Sequence, residues 1–224
     1  MQESDVREVL LADGLVISYG GRPIVEGFSL HIRGGETVAL IGPSGSGKTS
    51  ILSCVVGLQV PQAGSVSVAG HALTNDVGER ARIRRELVGV AYQTPDLLPE
   101  LSVEENVAIT LLFDGVPRDR AIDLARASLA SVGLSSHAAK RTDELSGGEA
   151  QRASIARALV RPEVSLLVAD EPTASLDAAN AMAVGRLIVD RARDRRVGVA
   201  MATHDPRVAE LCDRVVELRA VSAG

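Results

Sequence analysis

Three stretches of this chain are almost wholly apolar: Thr37 to Ile41, Val164 to Ala169 and Val197 to Ala202. Strands that are apolar on both faces belong to a parallel sheet covered by helices. Around them the pattern changes. Val9 to Ser18 and Ile24 to Ile32 read as two strands joined at Gly20-Gly21-Arg22-Pro23, and further strand signals lie at Ser65 to Ala69 and Leu87 to Tyr92. A helix is expected from about Thr49 to Val56. From Gln93 to about Gly148 the spacing turns helical. Ser102 with Glu105 forms a capping-box pattern that opens a helix towards Phe113, and Ile122, Ala125, Leu129 and Val132 keep one helix face, with Gly133 as a stop. Asp177 reads as the N-cap of a helix from Ala178 to about Arg193, and Asp205-Pro206 as an N-cap followed by an N1 proline.

The expected architecture is α/β. It has a core with a parallel central sheet, an N-terminal antiparallel β subdomain and an inserted α-helical subdomain. One domain of residues 1–224 divides into residues 1–92 and 151–224 for the core with its β subdomain, and 93–150 for the helical insert.

Composition narrows the function. With 46% hydrophobic and 24% charged residues, and a net charge of −5, the chain has the balance of a globular protein and not of a basic nucleic-acid binder. Two Tyr, two Phe and no Trp give no stacking platform for single strands, so no nucleic acid is expected as a partner. Cys54 and Cys212 are too few for a disulfide framework or a zinc site. The charged start, Met1 to Glu8, has no apolar h-region, and no apolar run is long enough to span a bilayer. Any membrane work therefore calls for a second chain. The arginines at 80, 82, 84 and 85 read as the solvated face of a short helix, and those at 191, 193, 195 and 196 as cations at a helix C-terminus.

Among 24 Lys and Arg only Lys48 and Lys140 are lysine, and Lys48 stands in Gly42-Pro43-Ser44-Gly45-Ser46-Gly47-Lys48-Thr49. This is G-x-x-x-x-G-K-[ST] between a strand and a helix. Glycines let backbone N–H groups turn onto phosphate oxygens, the helix start adds its positive dipole end, Lys48 adds charge and Thr49 a hydroxyl for Mg²⁺. The strand Ser165 to Ala169 runs into Asp170 and Glu171. Asp170 suits Mg²⁺, and Glu171 can polarise an attacking water. A second cradle is Leu145-Ser146-Gly147-Gly148-Glu149, a capping-box helix start with two glycines, which is an anion site by the same physics. Either the chain carries two phosphate sites, or two chains share each site.

In these motifs the chain resembles the nucleotide-binding subunit of ABC transporters over nearly its whole length. Gly42 to Thr49 resembles Walker A, Leu166 to Asp170 Walker B, and Leu145 to Glu149 the LSGGE signature. Gln93 stands at the Q-loop position, Ser175-Leu176-Asp177 at the D-loop, Thr203-His204-Asp205 at the switch histidine, and Tyr19 where an aromatic stacks on adenine. The signature continues Ala150-Gln151-Arg152, a small departure from the more usual Gln-Gln-Arg. The resemblance implies ATP and Mg²⁺ as cofactors. ATP would meet Tyr19, Gly42 to Ser50 and Gln93; Mg²⁺ would meet Thr49, Gln93 and Asp170; Glu171 and His204 would be catalytic. It also implies a dimer, most simply a homodimer, in which each ATP touches Walker A of one chain and the signature of the other, with Asp177 as the D-loop residue. A multi-spanning permease would be driven through the surface around Gln93 to Leu101, with this subunit peripheral on the cytoplasmic face of the membrane. Leu97 to Asn106 and Ala169 to Thr173 further resemble the lipoprotein-release and macrolide-export subgroup. An envelope regulatory module that binds ATP and moves no substrate is the alternative.

Overall fold

The structure is a computed structural model that describes residues 7–219; the charged start before Arg7 and the C-terminal end from Ala220 lie outside the described residues. Strands β1 (Glu8–Tyr19) and β2 (Arg22–Arg33) form a hairpin with Gly20-Gly21 at its turn. Pro23, which lacks an N–H, is placed on β2, the edge strand. β3 (Thr37–Ile41) leads through the glycine-rich loop into α1 (Lys48–Val55). Then come β4 (Ala63–Val68), β5 (His71–Ala72), α2 (Val77–Leu87) and β6 (Val88–Tyr92). The helical stretch holds α3 (Val103–Phe113), α4 (Arg118–Ser131) and α5 (Gly147–Ala158). The chain closes with β7 (Leu166–Asp170), α6 (Ala178–Arg195), β8 (Gly198–Ala202), α7 (Pro206–Ala209) and β9 (Arg214–Glu217).

The antiparallel sheet has the order β2-β1-β4-β5, and the five-stranded sheet, parallel throughout, β6-β7-β8-β3-β9. Every residue of β8, and all but the last residue of β3 and of β7, are buried, as expected for strands covered on both faces. The capping boxes at Ser102/Glu105 and Ser146/Glu149 are both formed, with reciprocal side-chain bonds. Gly133 follows the end of α4 with φ 75°. α6 runs two residues past its expected end, to Arg195.

One expectation fails. The arginines at 80, 82, 84 and 85 are not uniformly solvated. Arg80 is only 9% exposed, with Nε donating to Gly57 O at 3.1 Å and Nη1 to Thr74 O at 2.6 Å. Its acceptors are carbonyls of the turn after α1 and of the turn before α2. Arg195 likewise turns back, donating to the carbonyls of Leu159 and Arg161.

Three apolar clusters make the core. One joins the antiparallel sheet, α1 and one face of the parallel sheet; the second packs α6 on the opposite face of that sheet. The third lies among α3, α4 and α5. α5 belongs to two of them: Ile155 packs with the sheet cluster, and Ala153 and Ala156 with the helical one.

Candidate functional site

Parallel strands end at one edge of the sheet, where ligands of α/β folds bind. β3, β7 and β8 deliver the phosphate loop, Asp170-Glu171 and His204 to that edge. Gly47 is the N-cap of α1 at φ 93°, and a Cβ there would sit 2.5 Å from Val25 Cγ2, so both backbone and space exclude a side chain. Lys48 Nζ donates to Gly42 O at 2.7 Å and Pro43 O at 3.2 Å. Ser46 is 2% exposed and its Oγ has no partner among the described residues.

A cleft of about 610 Å³ opens over this loop. Tyr19, Gly42, Pro43, Ser44, Gly45, Gly47, Lys48, Thr49, Ser50, Gln93, Glu171 and His204 all line it, as the sequence predicts. Ile24 and Ala174 line it too and are not predicted from the sequence, where an apolar residue on a strand reads as core. Ser46 does not line it: its amide donates to Pro43 O inside the loop. Tyr19 stands half exposed at the rim, its hydroxyl donating to Gln59 Oε1 at 2.5 Å.

Asp170 faces an adjoining recess of about 360 Å³ with Thr49, Gln93 and Glu171. Its Oδ1 is buried without a hydrogen-bond partner among the described residues. Burial pushes the Asp170 carboxyl above its usual range and the Glu171 charge adds to this, while the Thr49 hydroxyl and the Lys48 ammonium pull it back. An orphaned carboxylate oxygen beside a hydroxyl and an amide is an all-oxygen donor set, the kind a hard cation such as Mg²⁺ takes. No group of three or more His, Cys, Asp or Glu suited to a metal occurs among the described residues. Mg²⁺ needs none, since it is commonly held by one or two protein ligands, water and phosphate.

Glu171 has φ 51°, left-handed for a non-glycine residue, and its amide donates to Ala202 O of β8. Its Oε2 lies 2.7 Å from His204 Nδ1 and accepts from the His204 amide at 3.2 Å. Nothing in local spacing marks this pairing across 33 positions.

The second cradle lies elsewhere: none of Leu145 to Glu149 lines either recess. Ser146 caps α5. Its amide and hydroxyl donate to Glu149 Oε2 at 2.8 and 2.7 Å, holding that carboxyl below its usual range, and His137 Nε2 stands 3.1 Å from Glu149 Oε1. Asp177 also stands apart from the cleft, as the N-cap of α6, with Asn180 N and Nδ2 donating to it. Asn180 in turn closes over the signature: a Cβ on Gly148 would come within 2.8 Å of Asn180 Oδ1. Burial pushes the Cys54 and Cys212 thiols up to about 11, so neither is a nucleophile at neutral pH.

A strand, a glycine-rich loop closed by Lys48-Thr49, and paired carboxylates at the end of the next strand but one in the sheet define a P-loop nucleoside triphosphatase. A family profile described as ABC transporter matches residues 25–174, and the chain belongs to that family as an ATP-binding, ATP-hydrolysing cassette. It is 42% identical over 203 residues to the lipoprotein-releasing system ATP-binding protein LolD of Nitratidesulfovibrio vulgaris, covering 88% of this chain and 84% of that one. It is 44% identical over 203 residues to LolD 2 of Caulobacter vibrioides, covering 89% and 88%. Among solved structures it resembles the dimeric post-hydrolysis state of the cassette MJ0796 bound to ADP and Pi, with TM-score 0.82, 29% identity and 94% of each chain covered. It also resembles cbiO1 of Clostridium perfringens, at TM-score 0.87 and 26% identity, with 95% and 85% covered.

Proposed function

We propose that this chain powers a separate membrane-spanning permease of the lipoprotein-releasing kind, as a dimer with two ATP molecules at its interface, peripheral on the cytoplasmic face of the inner membrane. No helix among the described residues is long and apolar enough to cross a membrane, so the permease would be another chain. The observation that carries the reading is the separation of the two phosphate cradles. Lys48 and Ser146 serve no common cleft within one chain. In a head-to-tail dimer each ATP would meet Walker A of one chain and the signature and D-loop Asp177 of the other. The dimeric MJ0796 cassette supports this arrangement, and the names of the LolD relatives support the cargo class.

The roles follow from the geometry. Lys48 exchanges two neutral carbonyl partners for phosphate oxygens. Tyr19 offers its ring to adenine, held upright by Gln59. Thr49, Asp170 and the Gln93 amide oxygen would hold Mg²⁺, which when bound offsets charge on the phosphates. Glu171 polarises the attacking water. His204 Nδ1 stands against the Glu171 carboxylate, and a ring N–H of His204 would donate to the γ-phosphate when ATP is bound. Residues 93–150 form the unit that reaches the permease, through the surface at Gln93 to Leu101.

The test mixes two damaged chains, Lys48→Ala and Ser146→Arg, each also carrying Glu171→Gln. Each homodimer is broken at both sites, whereas the heterodimer has one intact site. Shared sites predict about one trapped ATP per heterodimer and almost none in either homodimer, since closure needs the phosphates met from both sides. Equal trapping in all three would overturn the reading. Cargo is tested with the chain and its permease in vesicles: ATP must release a membrane-bound lipoprotein, and Glu171→Gln must abolish release.

A further inference from the structure

The segment from Gln93 to Leu101 has no helix or strand, yet side chains hold its backbone at almost every turn. Most of the bonds on its first half come from one helix. Gln151 of α5, 1% exposed, donates from Nε2 to the carbonyl of Tyr92, the residue before Gln93, at 2.9 Å. Arg157, two turns along α5, donates from Nη2 to Pro95 O and from Nη1 to Asp96 O, both at 2.8 Å. The second half is tied to α3 by Asn106, which is fully buried and bonded to Leu98 N and O and to Leu101 O.

Two features make this more than packing. Burial lowers the Arg157 pKa, and its guanidinium is given to neutral carbonyls. Leaving a desolvated cation on carbonyl groups is a costly way to fill space, but a rigid way to fix a backbone. One of those carbonyls belongs to Asp96, at φ 48°, a left-handed position that needs support from its surroundings. The same helix is pressed onto β6, where Gly89 leaves room for Ala158 O that no Cβ would allow. α5, capped by Ser146, runs about 16 Å at 1.5 Å per residue from that cap to Arg157, and its side chains hold the backbone on both sides of Gln93.

We infer that Gln151 and Arg157 are positioning residues that lock the Gln93 segment to the signature helix, so that Gln93 at one nucleotide and Ser146, at the other end of α5, move as one body. In the dimer proposed above, on which the consequence rests, that lock couples the two ATP sites. ATP that draws Gln93 inward in one site carries the signature of the same chain towards the partner's site. Without the lock, each chain still binds ATP at its phosphate loop, but the signature no longer follows.

The lock is tested within a single chain, so that it stands or falls apart from the shared-site reading. The Glu171→Gln protein is kept dilute enough to be monomeric by light scattering, and amide exchange is followed with and without Mg-ATP. Exchange at residues 43–49 reports loading of the phosphate loop, and exchange at residues 147–152 reports the signature. With the lock intact, ATP slows exchange in both regions, by about threefold or more in the second. Arg157→Ala and the near-isosteric Gln151→Leu should keep the response at 43–49 and lose it at 147–152, while Arg157→Lys, which retains a cation, recovers part of it. A thermal melt on each variant identifies folded protein. Folded variants in which residues 147–152 still respond to ATP like the parent would overturn the inference, as would a parent with no response there. The heterodimer trapping described above reports separately on whether sites are shared.

Discussion

The carboxylate of Glu171 and the imidazole of His204 meet at 2.7 Å, and the His204 amide turns to the same carboxylate oxygen. The pair lies where β7 and β8 end side by side. Glu171→Gln keeps shape and loses charge, so the amide can still meet His204 but cannot polarise water. Hydrolysis should fall at least about a hundredfold, within the range lost when a positioned base is removed, while ATP still binds. Turnover near the wild-type rate in the purified variant would remove Glu171 from the chemistry.

Lys48→Ala acts earlier, on binding. Its ammonium is the only lysine charge at the loop, and titration calorimetry should find ATP affinity sharply reduced with the fold intact. Gly47→Ala should be worse for the protein as a whole, because φ 93° and Val25 both oppose a Cβ. A loss of about 1–3 kcal/mol of stability is expected in a denaturant melt. An unchanged melt would show that the loop relaxes at no cost.

Tyr19→Ala should cost about 1–3 kcal/mol of nucleotide affinity, the range for a lost base–aromatic stack. Tyr19→Phe keeps the face and loses only the bond to Gln59. Fluorescent-nucleotide titration separates the two. If Phe is as poor as Ala, the hydroxyl matters and stacking does not.

Asp170 gives a pH signature. Its carboxyl is raised in the folded chain above the usual carboxylate range, chiefly by burial, so the folded state disfavours its charge. The destabilisation is present in full above the raised pKa and fades as pH falls towards 3.8. In chelator, Asp170→Asn should therefore melt higher than wild type at neutral pH, with the gap closing as the solution is acidified. The same variant should hydrolyse ATP poorly. A variant less stable than wild type at neutral pH would contradict the burial argument.

The parallel sheet was legible because its strands are apolar on both faces, and both helix caps because Ser-x-x-Glu carries its own geometry. The last edge strand was not. β9 reads Arg214-Val-Val-Glu217 with mostly exposed positions, and among the described residues pairs only with β3. A polar edge has no burial pattern to betray it. The loop residues of the cleft were found from glycine spacing and the lysine. Ile24 was not, since an apolar residue on a strand looks like core. Arg80 was misread for the opposite reason: its partners are carbonyls of Gly57 and Thr74, and nothing in local spacing marks a carbonyl as needy. The Glu171–His204 bond and the grip of Gln151 and Arg157 on the Gln93 segment are long-range, and only the folded backbone brings them together.

The ladder between β7 and β8 sets Asp170 opposite Ala202, and the Glu171 amide extends it onto the Ala202 carbonyl. The spacing of Glu171 and His204 is thus measured out by strand register and not by the loops that follow. Removing one residue from inside either strand would turn every side chain beyond it to the other face, parting the pair without altering either member. In a library of single-residue deletions, β7 and β8 should be as intolerant as Glu171 itself is to substitution. The turn between Leu58 and Gln62, which lies outside both strands, should accept more.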